Sequence, residues 1–270
     1  MAAELAVPLV PRRRVAGPAH GALRSARRGR GGDLAGTRMY QRGDDVRRID
    51  HRASARLSSA LGRDEFVVRE HFAEDATSVM FVHDRSPSMA LFPHWLPWLS
   101  KPRACRTVAR LLTASARRAR CTFRAEDNTV AHALDRLALG PLGRGSFVFL
   151  VSDFLVQTPE EVWREALERN WDIVPVVLQD PAWEQSFPDV AGLVLPIWDT
   201  EAQRVRATYL TRRECEERRS ANEERFRAIV ERFDRLGLDP ILLSHGDDDS
   251  VYQAFHDWAE GRRYGIRLRP

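Results

Sequence analysis

The sequence predicts an α/β fold with a doubly wound, mostly parallel β-sheet, on three observations. Short apolar, β-prone runs alternate with helical stretches from Asp75 onward, which is the pattern of βαβ units. The predicted strand Ser146–Val151 is almost wholly apolar, as expected for a strand buried on both faces. A chain of 270 residues is long enough to bury one sizeable domain of this kind.

The predicted elements follow one another along the chain as strands and helices. The strands are predicted at Thr77–His83, Cys121–Ala125, Ser146–Val151, Asp172–Leu178 and Pro240–Ser244, with a hairpin of Leu193–Trp198 and Arg204–Leu210. The helices are predicted at Arg103–Arg120, Val130–Leu139, Pro159 to about Arg169, Arg212 to Gly237 and Asp248–Arg262.

Capping residues support the positions of two of these helices. Thr158 precedes Pro159 and two glutamates, which is the pattern of an N-cap followed by proline at the first helical position. Thr211 and Glu214 have the spacing of a capping box, and Gly237 is a typical helix terminator. The helix Arg103–Arg120 carries apolar residues at helical spacing with arginines on the opposite side.

The composition limits the class of protein. The three cysteines, Cys105, Cys121 and Cys215, form no C-x-x-C pair and predict reduced thiols in a cytosolic protein. No apolar run is long enough to span a bilayer, so we expect no membrane segment. No G-x-S-x-G, Walker or H-E-x-x-H pattern is present, so we recognise neither a catalytic constellation nor a small-molecule substrate.

Residues 1–36 form an arginine-rich, glycine-rich lead-in that we expect to be flexible, because it offers little apolar surface to bury. Two interpretations of its arginines stay open. They form either a solvated tail or a patch that neutralises nucleic-acid phosphates. The segment lacks the interleaved aromatic residues that a groove for single-stranded nucleic acid would use.

Asp84, Ser86 and Ser88 directly follow the first predicted strand, where ligands of parallel sheets gather. Alternate residues of an extended loop point the same way, so one carboxylate and two hydroxyl groups can converge. These hard oxygen donors suit Mg²⁺ or Mn²⁺. The alternative is a polar turn in which the same side chains bind the local backbone.

Two stretches resemble known families. The Asp-x-Ser-x-Ser motif resembles the metal-ion-dependent adhesion site of von Willebrand factor A domains. The run from Arg38 to Arg56 is similar to the R-x-Y-x-x-G-D-D-x-R-x-I-D-W-x-x-S-A-R block of the bacterial DUF58 family, with His51 at the tryptophan position. The likeness divides the chain into the lead-in 1–36, the DUF58 block 37–72 and a von Willebrand factor A-like domain 73–270.

The resemblance implies a set of metal ligands and a class of partner. Asp84, Ser86 and Ser88 would hold the metal together with Asp153, which follows another predicted strand, and with Thr129. Thr129 is an equally good N-cap for the helix that starts at Val130, so both interpretations stay open. The resemblance to DUF58 implies work beside a MoxR-type AAA+ ATPase in the assembly or maturation of another protein.

An aromatic segment follows the metal motif and contains Phe92, Trp95 and Trp98. These side chains either pack over the first helix or form a partner-binding rim beside the metal. We therefore expect a non-enzymatic, metal-ion-dependent protein-interaction module. The alternatives are a metal-assisted hydrolase and nucleic-acid binding through the arginine-rich lead-in.

Overall fold

A computed structural model describes residues 5–12, 28–41, 44, 46–72, 78–90, 100–140, 142–199 and 204–265. Its strands are β1 Arg28–Met39, β2 Val67–Phe72, β3 Ser78–His83, β4 Thr122–Asp127, β5 Phe147–Ser152, β6 Asp172–Leu178, β7 Val194–Asp199, β8 Arg204–Tyr209 and β9 Ile241–Leu243. Its α-helices are α1 His51–Leu61, α2 Lys101–Arg118, α3 Val130–Leu139, α4 Glu160–Glu168, α5 Arg212–Arg235 and α6 Asp248–Tyr264. Within these ranges, no helix combines the length and apolarity needed to cross a membrane.

Five strands form a central parallel sheet in the order β4-β3-β5-β6-β9, with the hairpin β7–β8 outside it. This confirms the predicted α/β fold with a parallel, Rossmann-like sheet. In chain order, β3 is the first strand of this sheet, yet in space it lies between β4 and β5. The chain therefore reverses its direction of winding beside β3. Ligands of open parallel sheets bind at such a reversal, beyond the carboxyl ends of the strands.

Helices cover both faces of the sheet because alternate residues of each strand face opposite ways. Val79 and Phe81 of β3 face the layer formed by α2 and α6, whereas Met80 and Val82 face the layer formed by α3, α4 and the end of α5. Each fully buried side chain of this size contributes about 1.5–3 kcal/mol to the free energy of unfolding. Both layers therefore hold the carboxyl end of β3 in place.

The capping residues predicted for α4 and α5 agree with the structure in all but one detail. Thr211 and Glu214 form the predicted capping box at the start of α5. The predicted N-cap of α4 is wrong by one residue, because Pro159 takes that position and Thr158 lies one residue earlier. Thr158 is buried, and its carbonyl oxygen accepts a hydrogen bond from the guanidinium group of Arg232 instead.

Part of the arginine-rich lead-in packs against the domain. Val7 is 1% exposed and belongs to the core, and its amide donates a hydrogen bond to the Ser115 hydroxyl of α2 at 3.0 Å. The amide of Arg12 donates to the carboxylate of Asp172 at 2.7 Å. Residues 5–12 of the segment expected to be flexible therefore pack on the domain, because apolar Val7 fills a place in the core. Residues 13–27 lie outside the described ranges.

The block that resembles DUF58 contains the end of β1, then α1, then β2, and β1 and β2 pair antiparallel. Arg38 donates two hydrogen bonds to the carboxylate of Asp44, at 2.7 and 2.6 Å. Asp50 caps α1 by accepting from the first backbone amides of the helix. The Ser54 hydroxyl donates to the Asp50 carbonyl and accepts from the amide of Val67 in β2. These polar residues hold the segment together.

Candidate metal site at the carboxyl edge of the sheet

Asp84 and Asp153 lie side by side at the carboxyl edge of the sheet. Asp84 follows β3 and Asp153 follows β5, and these two strands pair in parallel. The amide of Asp84 donates to the carbonyl of Val151 at 3.0 Å, which extends the pairing beyond the end of β3. The edge between β3 and β5 is also where the winding reverses, and open parallel sheets commonly bind ligands at such an edge.

The carboxylate of Asp84 and the hydroxyl groups of Ser86 and Ser88 lie close together. The Oδ1 of Asp84 accepts from the Ser86 amide at 2.9 Å, and its Oδ2 accepts from the Ser86 hydroxyl at 3.0 Å. The hydroxyl oxygens of Ser86 and Ser88 lie 3.3 Å apart. Two oxygens bound side by side to Mg²⁺ at about 2.1 Å would lie about 3.0 Å apart, which is close to these two hydrogen-bond separations.

Ser152 supports the Asp84 carboxylate and was not among the predicted site residues. Its hydroxyl donates a hydrogen bond to Oδ2 of Asp84 and accepts one from the Phe154 amide at 2.9 Å. Phe154 has a positive φ of 53°, which a phenylalanine adopts only when its surroundings hold it there. Its ring packs edge-on against Phe233 at 5.0 Å, so the helix layer fixes the turn that carries Ser152 and Asp153.

Asp153 forms an ion pair with a buried ammonium group. Its Oδ2 lies 2.7 Å from Nζ of Lys101, the first residue of α2, and both side chains are 0% exposed. The same ammonium donates to Oε1 of Glu184 at 2.6 Å and to the carbonyl of Ser88 at 3.2 Å. One of the five predicted metal ligands is thus already paired with a cation that belongs to the chain.

The turn after β6 supplies the second carboxylate of this ion-pair cluster. Oε2 of Glu184 accepts from the Asp180 amide at 2.9 Å, and Oδ1 of Asp180 accepts from the Ala182 and Trp183 amides. Gln179 donates from its side chain to the Asp153 carbonyl at 2.6 Å, which ties the turn to the end of β5. Burial raises the pKa of Glu184 above its ordinary value, and the charge of Lys101 opposes this effect.

Thr129 occupies the N-cap position of α3, just beyond the carboxyl end of β4, and is exposed. Its side chain makes no capping hydrogen bond. Within the described part of the chain, no hydrogen bond joins its hydroxyl to Asp84, Ser86 or Ser88. Thr129 therefore lies at the same edge of the sheet as these residues.

The rim of the site carries charged groups. Asp127, at the end of β4, pairs with His83 at 3.2 Å and with Arg85 at 2.5 Å. Within the described ranges, no three histidine, cysteine, aspartate or glutamate side chains cluster closely enough to bind a metal ion. A metal at this edge would therefore depend on the serine hydroxyl groups. Three aromatic residues predicted to line the rim lie outside the described residues: Phe92, Trp95 and Trp98.

Comparison with known proteins gives one match. Residues 36–120 match the family model described as "Protein of unknown function DUF58". The match supports assignment to the DUF58 family. The matched range holds the Arg38–Asp44 pair, strand β3, the Asp84 motif and helix α2 with Lys101. No curated protein and no solved structure matches the chain.

Sequence reasoning missed Lys101 and Glu184, which together with Asp153 form the buried ion-pair cluster. One feature of the composition could have drawn attention to Lys101. Of the 42 lysine and arginine residues in the chain, it is the single lysine. No comparable signal marks Glu184, which lies 83 residues further along the chain and reaches Lys101 only through the fold.

Proposed function

We propose that this DUF58 protein is a non-enzymatic protein-interaction module that depends on a metal ion held at Asp84, Ser86 and Ser88. The observation that supports the proposal is the convergence of one carboxylate and two hydroxyl groups at the edge of the sheet where the winding reverses. Ser152 and the Ser86 amide orient the carboxylate, so the donors are held in place before any metal arrives.

The donor set favours Mg²⁺ or Mn²⁺. Both ions prefer oxygen ligands, and Mg²⁺ keeps several waters when a protein supplies one or two carboxylates. When bound, the ion supplies a coordination position that an oxygen atom from another molecule can fill. Hydroxyl ligands are neutral and leave most of the ion's charge uncompensated, so an aspartate or glutamate of a partner protein is the ligand that the site would prefer.

The partner that the DUF58 resemblance implies is a MoxR-type AAA+ ATPase, with assembly or maturation of a third protein as the shared task. The edge of the sheet could recognise an acidic residue of the partner through the metal. Phe92, Trp95 and Trp98 follow the metal motif directly in the sequence, and aromatic residues there would add apolar contact area around the metal.

The test is capture of a purified MoxR-type ATPase by the purified protein, with Mg²⁺ or with EDTA. Asp84→Asn removes the charged ligand and keeps the side-chain shape, so it should reduce capture as strongly as EDTA does. Trp95→Ala should also weaken capture. The matched control is Asp127→Asn, which removes a carboxylate from the same edge but from outside the cluster, and capture should persist.

Charge-driven binding through the arginines of the lead-in is tested with a separate variant. Deleting the lead-in would also remove Val7 from the core, so the arginines should be replaced instead. A variant with glutamine at Arg13, Arg14, Arg24 and Arg27 keeps residues 5–12 in place. Capture that survives EDTA and Asp84→Asn, yet disappears in this variant, would overturn the proposal in favour of electrostatic binding with a steep salt dependence.

A further inference from the structure

Lys101 is unusual for both its type and its place. A chain that otherwise uses arginine for every permanent positive charge has a lysine here, and its side chain is 0% exposed. Lysine is almost never fully buried unless it is paired. Lys101 is also the first residue of α2, where the helix dipole disfavours a positive charge. The position of Lys101 in the helix therefore does not account for a positive charge there.

The surroundings of the ammonium group do explain it. Among the described residues, its N–H donors contact the carboxylates of Asp153 and Glu184 and the carbonyl of Ser88. A compact ammonium group fits between two buried carboxylates, whereas the planar guanidinium of arginine is larger and has five N–H donors to satisfy. These contacts therefore suit a lysine better than an arginine at this position.

Ser88 joins this ion-pair cluster to the candidate metal site. Its carbonyl accepts from Lys101, while its hydroxyl lies 3.3 Å from the hydroxyl of Ser86. The carboxyl edge of the sheet therefore has two halves. In one half Asp153 and Glu184 hold Lys101, and in the other Asp84, Ser86 and Ser88 converge.

We propose that Lys101 is a built-in cation that keeps Asp153 and Glu184 from binding a metal ion and so sets the metal affinity of the site. A divalent ion is then restricted to Asp84, Ser86 and Ser88, with a single carboxylate among its ligands. Binding is weak until a partner adds a second carboxylate, which couples metal binding to recognition. This inference rests on the proposed function of the Asp84 half.

The test measures Mn²⁺ binding to the purified protein from the electron paramagnetic resonance signal of free Mn²⁺. Lys101→Met should tighten binding by at least about tenfold, because the number of charged ligands tunes the affinity of such sites. Lys101→Arg retains the positive charge and should bind no more tightly than wild type. The double variant Lys101→Met/Asp153→Asn should lose most of the gain. A folded Lys101→Met protein with wild-type affinity would overturn the inference.

A second measurement needs no variant and covers the case in which Lys101→Met does not fold. Lysine labelled with ¹⁵N and ¹³C gives the signal of one side chain, because the chain has one lysine. Saturating Mg²⁺ should leave this ammonium group protected from solvent exchange. A shift to the signal of a solvent-exposed lysine would mean that the metal displaces Lys101 from Asp153, which contradicts the inference.

The two proposals fail in different ways. If wild type captures its partner only with metal, but Lys101→Met binds Mn²⁺ no more tightly, the inference about Lys101 fails alone. If wild-type capture is indifferent to metal while Lys101→Met gains Mn²⁺ affinity that Asp153→Asn removes, the proposed function fails and the role of Lys101 stands.

Discussion

Lys101 and Asp153 form an ion pair of 2.7 Å with both side chains fully buried, at the edge of the sheet where ligands are expected. Arg110 and Asp248 form a pair of similar length, 2.6 Å, but their side chains are 68% and 55% exposed. The two ion pairs should differ in their contribution to the free energy of unfolding, because one is buried and the other is exposed. Removing one partner of a buried pair leaves an uncompensated charge, whereas a solvated pair contributes little.

Lys101→Met should lower the free energy of unfolding at neutral pH by about 3–5 kcal/mol, because two buried carboxylates lose their cation. Arg110→Met removes a cation from the same helix and should cost less than about 1 kcal/mol. Urea unfolding followed by circular dichroism measures both values. Equal losses for the two variants would show that burial does not dominate here.

Wild-type protein should bind Mg²⁺ or Mn²⁺ weakly, since its predicted donors include one available carboxylate. Asp84→Asn should abolish the heat of binding in calorimetry while the circular dichroism spectrum keeps its shape. Asp127→Asn, at the rim, should bind as wild type does. Metal binding that is equal in wild type and Asp84→Asn would place the site elsewhere.

Glu184→Gln should change how stability depends on pH. The pKa of Glu184 is raised above its ordinary value of 4.5, chiefly by burial, so the folded state holds its proton more tightly than the unfolded state does. Its contribution to stability is therefore greatest below pH 4.5 and declines as the pH rises through the raised pKa. Glutamine does not titrate, so the variant should lose this decline in urea unfolding series between pH 4.5 and neutrality. If the free energy of unfolding of the variant declined with pH as steeply as that of wild type, the raised pKa of Glu184 would be contradicted.

Val7→Ala should lower the free energy of unfolding by about 2 kcal/mol, because it removes buried methyl groups at roughly 0.8 kcal/mol each and leaves a small cavity. Leu5→Ala is the matched control, since Leu5 is 45% exposed, and it should change stability by less than about 0.5 kcal/mol. Urea unfolding compares the two. Equal and small effects would mean that residues 5–12 do not pack on the domain in solution.

Gly246→Ala should destabilise the protein by about 1–3 kcal/mol, the usual cost of overpacking. A Cβ at position 246 would lie 3.1 Å from both the Cβ and the amide nitrogen of Ala104 in α2. Gly143→Ala is the control, because its added Cβ would meet nothing closer than 3.9 Å. Thermal unfolding should separate the two variants by several degrees.

Local patterns in the sequence were sufficient for the strands and helices from β3 onward, but they did not predict β1, α1 or β2. The strand Asp172–Leu178 and the helix Val130–Leu139 were predicted with their observed bounds, since burial on both faces and helical spacing each leave a pattern within ten residues. The capping box at Thr211 is equally local. Asp84, Ser86 and Ser88 were found for the same reason, because they are neighbours in one loop.

Only the tertiary structure brought Lys101 to Asp153 and Glu184, which lie 52 and 83 residues further along the chain. Parallel pairing of β3 with β5, and of β5 with β6, sets the ends of these strands side by side, and α2 returns its first residue to the same edge. Similarly, Val7 reaches Ser115 across 108 residues. Such contacts depend on the connections between elements, so no local pattern of residues encodes them.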